Sequence, residues 1–205
     1  DWLEANPNNI WALNTTCANL VEEENFLEAI PLLERSIKLH PRQRGVGSPY
    51  GMLARAHREL GQAEDELAVL EQWAAIEDAA TKLYGRLMEI HAERENWEAV
   101  DRLAKRFFSA NPLSPIGHRF MALTAQQTGN TAATIRPLKR LLLLDPADPV
   151  DLHFRLATAL AGPSPLEAKR HVLQALEDAP RFRAAQKLLT RLAKPGPPAG
   201  EAKAQ

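Results

Sequence analysis

Five prolines recur along the chain at nearly constant intervals, and this spacing constrains the fold more than any other feature. Pro7, Pro41, Pro112, Pro146 and Pro180 are separated by 34, 71, 34 and 34 residues. The interval of 71 is two periods plus three residues, so one proline of the series is absent. A regular period of this length indicates an internal structural repeat, and recognising it decides the whole fold.

Each period contains two stretches of helical periodicity. In the first period, apolar residues recur at spacings of three and four over 10–20 and again over 26–37. Four helix starts are marked by a capping side chain before a proline that suits the first turn: Ser48-Pro49, Ser114-Pro115, Asp148-Pro149 and Ser164-Pro165. Ser164 and Glu167 also fit a capping box. The alternation typical of a half-buried strand is absent, so we predict an all-α chain.

Small residues occupy a fixed place in most periods. Cys17, Ala54 and Ala122 lie 24 residues before the repeating proline position, and Ala157 takes this place in a shorter last period. A helical pair of about 34 residues, with small residues where the helices cross and proline at the end, resembles the tetratricopeptide repeat. The third period departs from the pattern, because Leu87 and Met88 stand where a small residue is usual.

The resemblance implies a right-handed superhelical α-solenoid of about five antiparallel helix pairs plus a C-terminal capping helix. We expect repeats at about 10–43, 47–79, 80–113, 115–148 and 149–181, and the capping helix at 182–193. Residues 1–9 resemble the end of a preceding repeat, which suggests a fragment of a longer chain, and 194–205 a flexible tail.

Composition and charge exclude several classes of protein. An apolar content of 45% with a net charge of −1 excludes a disordered chain, and a single cysteine excludes a disulfide framework. No apolar run reaches the ~18 residues that span a bilayer. Residues 1–100 carry 9 basic and 18 acidic side chains, whereas 101–205 carry 16 and 8, so the near-zero total conceals an acidic half and a basic half. The single cysteine and the absence of a visible leader favour the cytoplasm.

No pattern of catalytic or metal-binding residues stands out. None of the six histidines lies in an HExxH pattern or three or four residues from another, so no single helix offers a metal pair. Cys17 is expected to be a packed small hydrophobe. P-loop, dinucleotide and GxSxG patterns are absent. We therefore expect no enzyme activity in this segment, no cofactor and no metal.

The remaining candidate site is the concave groove that the resemblance implies. In that family, the second, fifth, ninth and twelfth residues of each first helix face the groove. The candidates are Trp11, Asn14, Arg55, Arg58, Tyr84, Met88, His91, Arg119, Leu123, Gln126 and Phe154. Aromatic and arginine side chains are favoured in binding hot spots, and arginine grips carboxylates bidentately. The alternative is that Trp11, Tyr84 and Phe154 are core aromatics in a register displaced by one residue.

Three functions remain open. The leading hypothesis is a non-catalytic scaffold that binds a peptide or partner protein in the groove, with the arginines contacting acidic or carboxylate groups. The second is a substrate-docking or spacer segment of a larger bacterial enzyme, such as a peptidase or transferase. The third is a self-assembling repeat scaffold. The two-carboxylate clamp for chaperone tails is rejected, because Asn14, Ala18 and Arg55 replace its Lys, Asn and Asn. Nucleic-acid binding is not expected.

Overall fold

The computed structural model describes residues 3, 6–45, 47–78, 80–144 and 147–193. These residues form eleven α-helices and no strand, which confirms the predicted all-α helical-repeat architecture. The helices are α1 Ile10–Glu22, α2 Phe26–Leu39, α3 Pro49–Glu59, α4 Ala63–Ala74, α5 Thr81–Glu93, α6 Trp97–Ala110, α7 Pro115–Gln127, α8 Thr131–Leu143, α9 Pro149–Leu160, α10 Pro165–Asp178 and α11 Arg183–Ala193. The expected repeat end at 1–9 lies only partly within the described residues, and the expected tail at 194–205 lies outside them.

The chain divides into two compact units, residues 1–111 and 112–205. In the first unit each of the helices α1 to α5 packs against the helix that follows it, and α1 also contacts α3. In the second unit α7 to α11 pack in the same sequential manner. Each helical pair therefore buries its apolar faces against its sequence neighbours, as expected for stacked repeats. No helix in the described residues is long and apolar enough to cross a membrane.

The core is built from equivalent positions of successive repeats. One such position lies in the middle of each second helix, and the side chains there are buried in every repeat: Leu33, Leu70, Ala104, Leu138 and Val172. The first helices contribute a matching row of buried residues at equivalent places in the repeat, 20 residues before those of the second helices: Leu13, Tyr50, Tyr84 and His118. Because apolar burial is the main favourable term in folding, these two rows stabilise the helical pairs.

The turn between the two helices of a repeat uses one left-handed residue. Glu24, Gly61, Glu95 and Gly129 have φ angles of 62°, 72°, 54° and 72°. The first and third of these residues are 71 residues apart and the third and fourth are 34 apart, as are Pro41, Pro112 and Pro146, so the turn fixes the same register. Glycine adopts this conformation freely, whereas a residue with a Cβ adopts it at a cost of about 1–2 kcal/mol.

The predicted helix starts are correct, but their side-chain caps are mostly not formed. The four Ser-Pro and Asp-Pro pairs begin α3, α7, α9 and α10. Asp148 accepts a hydrogen bond from the backbone N–H of Asp151 at 3.0 Å. None of the three serines caps its helix. The expected box at Ser164 is therefore wrong, because the Glu167 carboxylate is 2.6 Å from Lys139 Nζ on α8 and not at the cap.

One repeat buries a charge where the others bury small or β-branched residues. The twentieth position of the repeat, counted from residues 10, 47, 81 and 115, holds Glu66 in the second repeat. The first, third and fourth repeats hold Ala29, Val100 and Thr134 there. Glu66 is 2% exposed and accepts two hydrogen bonds from Arg86, Nε to Oε1 at 2.8 Å and Nη2 to Oε2 at 2.9 Å. These bonds raise the pKa of the Arg86 guanidinium above its ordinary value. The pair joins α4 to α5 and makes this repeat junction dependent on two particular residues.

Candidate partner-binding face

In the first unit, exposed aromatic and basic side chains lie on the first helices. Trp11 on α1 is 70% exposed, and Arg55 and Arg58 on α3 are exposed as well. Arg58 pairs with its neighbour Glu59 at 3.1 Å, a solvent-exposed contact of small energetic value. Arg55 makes no ion pair within the part of the chain that the structure describes. Both guanidinium groups are therefore accessible to a partner, on a helix that contacts the one carrying Trp11.

Asn14, also expected in the groove, joins two helices of its own repeat. Its Oδ1 accepts a hydrogen bond from the Ser36 hydroxyl at 2.7 Å, and Ser36 is buried in α2. Asn14 itself is half-buried. Since buried hydroxyl groups need a hydrogen-bond partner, the first role of Asn14 is to satisfy Ser36.

Tyr84 and Met88 are core residues, which corrects the expectation that they face a partner. Both are 0% exposed. The Tyr84 ring stacks on Phe107 with ring centroids 5.3 Å apart and planes inclined by 29°. The Arg106 guanidinium lies 5.8 Å from the Tyr84 ring centroid. The alternative interpretation of these aromatics as core residues therefore holds for Tyr84 but not for Trp11, which is exposed.

Tyr84 and Met88 are buried because the register of the third repeat differs by one residue from the register expected from the sequence. Counting 24 residues back from Pro112 gives Met88, so Met88 occupies the small-residue position and not the ninth position of its helix. The left-handed turn at Glu95 gives the same register. The second, fifth, ninth and twelfth positions of α5 are therefore Lys82, Gly85, Glu89 and Ala92, all of them exposed or half-buried. We use the term first-helix face for these four positions of each first helix, counted from the equivalent repeat positions 10, 47, 81 and 115, so that Arg55 and Arg58 are the ninth and twelfth positions in the second repeat.

His91 moves to an interior position in the corrected register. It is half-buried, and its buried Nδ1 has no hydrogen-bond partner among the described residues. Burial is the main reason that the pKa of His91 is lowered, with a smaller contribution from nearby arginine charges. The neutral imidazole therefore contributes to packing between helices more than to a partner-binding surface.

In the second unit, the candidates divide between surface and core. Arg119 is exposed on α7, and Leu123 is half-buried one turn further on. Exposed Gln126 accepts a hydrogen bond from Arg155 at 3.2 Å, which ties α7 to α9. Phe154 is half-buried against Phe182, with ring centroids 4.8 Å apart and planes inclined by 59°. Arg119 and Gln126 are thus the exposed members of the four, and Phe154 belongs largely to the apolar cluster around α11.

The first-helix face of the first unit is basic although the unit is acidic. Residues 1–111 contain 12 basic and 19 acidic side chains, a net charge of −7, and residues 112–205 contain 13 and 7, a net charge of +6. At the four face positions of α1, α3 and α5, however, three residues are basic and one is acidic: Arg55, Arg58, Lys82 and Glu89. The face therefore attracts acidic groups locally.

The described residues offer neither a cluster of acidic, histidine and cysteine side chains for a metal nor an exposed thiol. They contain no group of three or more His, Cys, Asp or Glu side chains that could hold a metal ion. Cys17 is buried, and burial raises the pKa of its thiol to about 11, so the nucleophilic thiolate is disfavoured. An open depression of about 400 Å³ in the first unit is lined by Ile10, Leu39, His40, Pro41, Arg42 and Gln43.

No family model and no curated protein matches the sequence. Solved structures do match. YrrB, described as a TPR protein with an unusual peptide-binding site, superposes with a TM-score of 0.67 at 11% identity, over 90% of this chain and 94% of YrrB. MamA from Desulfovibrio magneticus RS-1 gives 0.60 at 12% identity, over 91% and 97%. The APC/C hetero-tetramer Cut9-Hcn1 gives 0.52 at 13% identity, over 94% of this chain and 44% of the matched one.

These likenesses establish the fold. The chain has the helical-repeat fold of tetratricopeptide-repeat proteins, which confirms the resemblance drawn from its proline period and small-residue positions. At identities of 11–13% the likeness says nothing of individual side chains, so the function rests on the residues of this chain.

Proposed function

We propose that this chain is a non-catalytic protein-interaction scaffold whose first-helix face binds a peptide or partner surface that carries carboxylate groups. The observation that carries the proposal is the exposure of Arg55 and Arg58 on α3, which packs beside the helix that presents Trp11. The partner is a protein or peptide, and the face needs no cofactor to bind it.

The chemistry of the two arginines supports a carboxylate ligand. Residues three apart on a helix have Cβ atoms about 5–6 Å apart, so Arg55 and Arg58 project side by side. Each guanidinium offers a planar set of donors that matches a carboxylate bidentately. A peptide with two nearby acidic side chains, or an acidic residue next to a free C-terminus, fits this spacing. The exposed Trp11 indole adds an apolar contact of the kind that is common in hot spots.

The structural neighbours agree with this kind of function. YrrB is described as having a peptide-binding site, and Cut9-Hcn1 is a hetero-tetramer, so this fold serves protein recognition in other chains. Helical repeats expose a row of equivalent first-helix positions along which an extended segment can lie.

The test compares charge reversal on this face with charge reversal elsewhere in the same unit. Peptides are selected from a random display library with the wild-type chain, and their affinities are measured by fluorescence anisotropy. Loss of a charge-assisted hydrogen bond costs about 1.5–3 kcal/mol, so Arg55→Glu should weaken binding at least tenfold. Arg102→Glu, on the exposed side of α6, is the matched control and should bind like the wild type.

Two further outcomes decide the proposal. Equal affinities of Arg55→Glu and the wild type contradict it, as does a selection that enriches no peptide above the blank. The second unit is tested in the same way, with Arg119→Glu on α7 and the exposed Arg136→Glu on α8 as its control. Far-UV circular dichroism verifies that every variant keeps its helicity.

The charge difference between the units favours self-association as a second candidate. Net charges of −7 and +6 allow the acidic unit of one copy to attract the basic unit of another. Light scattering over a concentration series should then show a mass that rises at low salt and returns to 22.8 kDa at high salt. A mass of one chain under all conditions contradicts this candidate.

A further inference from the structure

Two imidazoles meet between α9 and α10 of the last repeat. His153 Nδ1 lies 2.9 Å from His171 Nδ1, and their ring centroids are 5.1 Å apart with planes inclined by 25°. The centroid distance exceeds the nitrogen distance by about the width of one ring, so the rings meet edge to edge through these nitrogens. Gln174 Oε1 lies 3.0 Å from His171 Nδ1. His153 Nδ1 and Gln174 Oε1 therefore both lie within 3.0 Å of His171 Nδ1, with the two imidazoles half-buried and Gln174 exposed.

His171 Nδ1 makes two short polar contacts, but a neutral imidazole has at most one proton on this nitrogen to donate. The Nδ1 atom of a neutral imidazole carries either a proton or a lone pair. If His171 Nδ1 carries the proton, this one hydrogen faces two acceptors, His153 Nδ1 and Gln174 Oε1. The pair His57 and Gln62 shows the ordinary arrangement, in which one imidazole meets one amide oxygen at 2.7 Å and a single proton satisfies both.

Burial favours the neutral form of the two imidazoles, which leaves their lone pairs available to a cation. Burial lowers the pKa of both histidines, and for His153 the neighbouring His171 lowers it further. Asp178, on α10, is the acidic group that acts on His153. Glu167 and Lys139 act on His171 with opposite signs and are bonded to each other at 2.6 Å. Asp178 therefore contributes a negative charge that acts on His153 and favours a bound cation.

We propose that His153 Nδ1, His171 Nδ1 and Gln174 Oε1 bind a divalent transition-metal ion such as Zn²⁺, which takes the place of the shared proton. Imidazole nitrogens and oxygens bind Zn²⁺ at about 2.0–2.2 Å in a tetrahedral arrangement, so neighbouring ligand atoms lie about 3.3–3.6 Å apart. The observed separations of 2.9 and 3.0 Å must therefore widen by about 0.3–0.7 Å, through rotation of the side chains, to reach this geometry. Water completes the coordination.

The spacing of the histidines explains why the sequence does not reveal this site. His153 and His171 are 18 residues apart and come from two helices, whereas sequence patterns for metal sites rely on pairs within one helix. The third ligand is an amide, whereas the common sequence motifs for metal sites consist of His, Cys, Asp and Glu. A site with two imidazoles and one amide should bind more weakly than a three-histidine site, and its affinity should fall as acid protonates the imidazoles.

The test is isothermal titration of the full chain with ZnCl₂ in metal-free, non-chelating buffer at pH 7.5. The wild type should bind one Zn²⁺ per chain at this site, and His153→Ala and His171→Ala should each weaken binding at least tenfold. Gln174→Ala should weaken it several-fold. His57→Ala removes the lone imidazole of the other His–Gln pair and should bind like the wild type. Any weak background at exposed histidines is common to all variants.

Stability supplies a second readout on the same proteins. Because Zn²⁺ would bind the folded chain and join α9 to α10, it should raise the thermal midpoint of the wild type and of His57→Ala, but not that of His153→Ala. If His153→Ala is not helical, His153→Asn and His171→Gln replace the alanine variants. Absence of saturable Zn²⁺ binding by the wild type overturns the proposal, and so does unchanged binding by the double variant of His153 and His171.

Discussion

Removal of Arg86 should destabilise the first unit far more than removal of its partner Glu66. Arg86→Met leaves the Glu66 carboxylate in the core, with its side chain 3% exposed and both arginine hydrogen bonds lost. Breaking a buried ion pair from one side costs about 3–5 kcal/mol, because an uncompensated charge remains buried. We therefore expect the free energy of unfolding to fall by about 3–5 kcal/mol in Arg86→Met.

The reverse substitution has a much smaller expected cost. In Glu66→Ala the buried position receives the residue type that Ala29 provides at the same place in the first repeat. The Arg86 side chain is 26% exposed and already lies 3.5 Å from Glu89 and 3.9 Å from Glu93, so it keeps acidic neighbours. The loss should stay below about 1 kcal/mol, since exposed pairs replace the buried one. The double variant should then resemble Glu66→Ala.

The assay is urea unfolding followed by tryptophan fluorescence. All four tryptophans of the sequence, Trp2, Trp11, Trp73 and Trp97, lie in residues 1–111, so this signal reports on the first unit. The midpoint and slope give the free energy of unfolding of each variant. Equal losses in the two single variants would refute the reasoning, because they would show that the pair acts as an exposed contact without a buried charge at its centre.

Three further predictions follow from the backbone and from the ionisable groups. Glu95→Gly should raise the free energy of unfolding by about 1 kcal/mol, seen as a higher urea midpoint, because glycine relieves the left-handed strain. A lower midpoint would contradict the turn geometry. The lowered pKa values of His118, His153 and His171 mean that the unfolded chain binds more protons below about pH 6.5, so in metal-free buffer the thermal midpoint should fall as pH drops from 7 to 5. A flat profile over this range would show that these imidazoles are not buried. Cys17, with a thiol pKa of about 11, should react with a thiol reagent only after unfolding, and rapid reaction of the native chain would place it at the surface.

The fold was predictable because its determinants are local and recur along the chain. The proline period, the small residues at Cys17, Ala54 and Ala122, and the apolar spacing each repeat, so an error in one period is corrected by the others. The third repeat was harder, because Met88 occupies a small-residue position and Glu95 takes a turn that glycine usually takes. A side chain that departs from the family type removes the signal that would set the register.

The polar contacts were not predictable, because they join residues that no periodic pattern relates. Glu66 stands at a position where neighbouring repeats hold small or β-branched residues, and its partner Arg86 is 20 residues away on another helix. His153 and His171 likewise meet only because α9 packs on α10. In both cases the sequence supplies the side chains, and the helix packing decides which of them meet.

Site-specific photo-cross-linking tests the proposed interaction face most directly. A photoreactive amino acid is placed at position 55 on α3 in one variant and at position 102 on α6 in another, and each is irradiated with a labelled peptide selected by the wild type. The proposed function predicts covalent capture from position 55, competed by unlabelled peptide, and none above background from position 102. Capture from position 102 alone, or equal capture from both positions, would contradict recognition through the first helices.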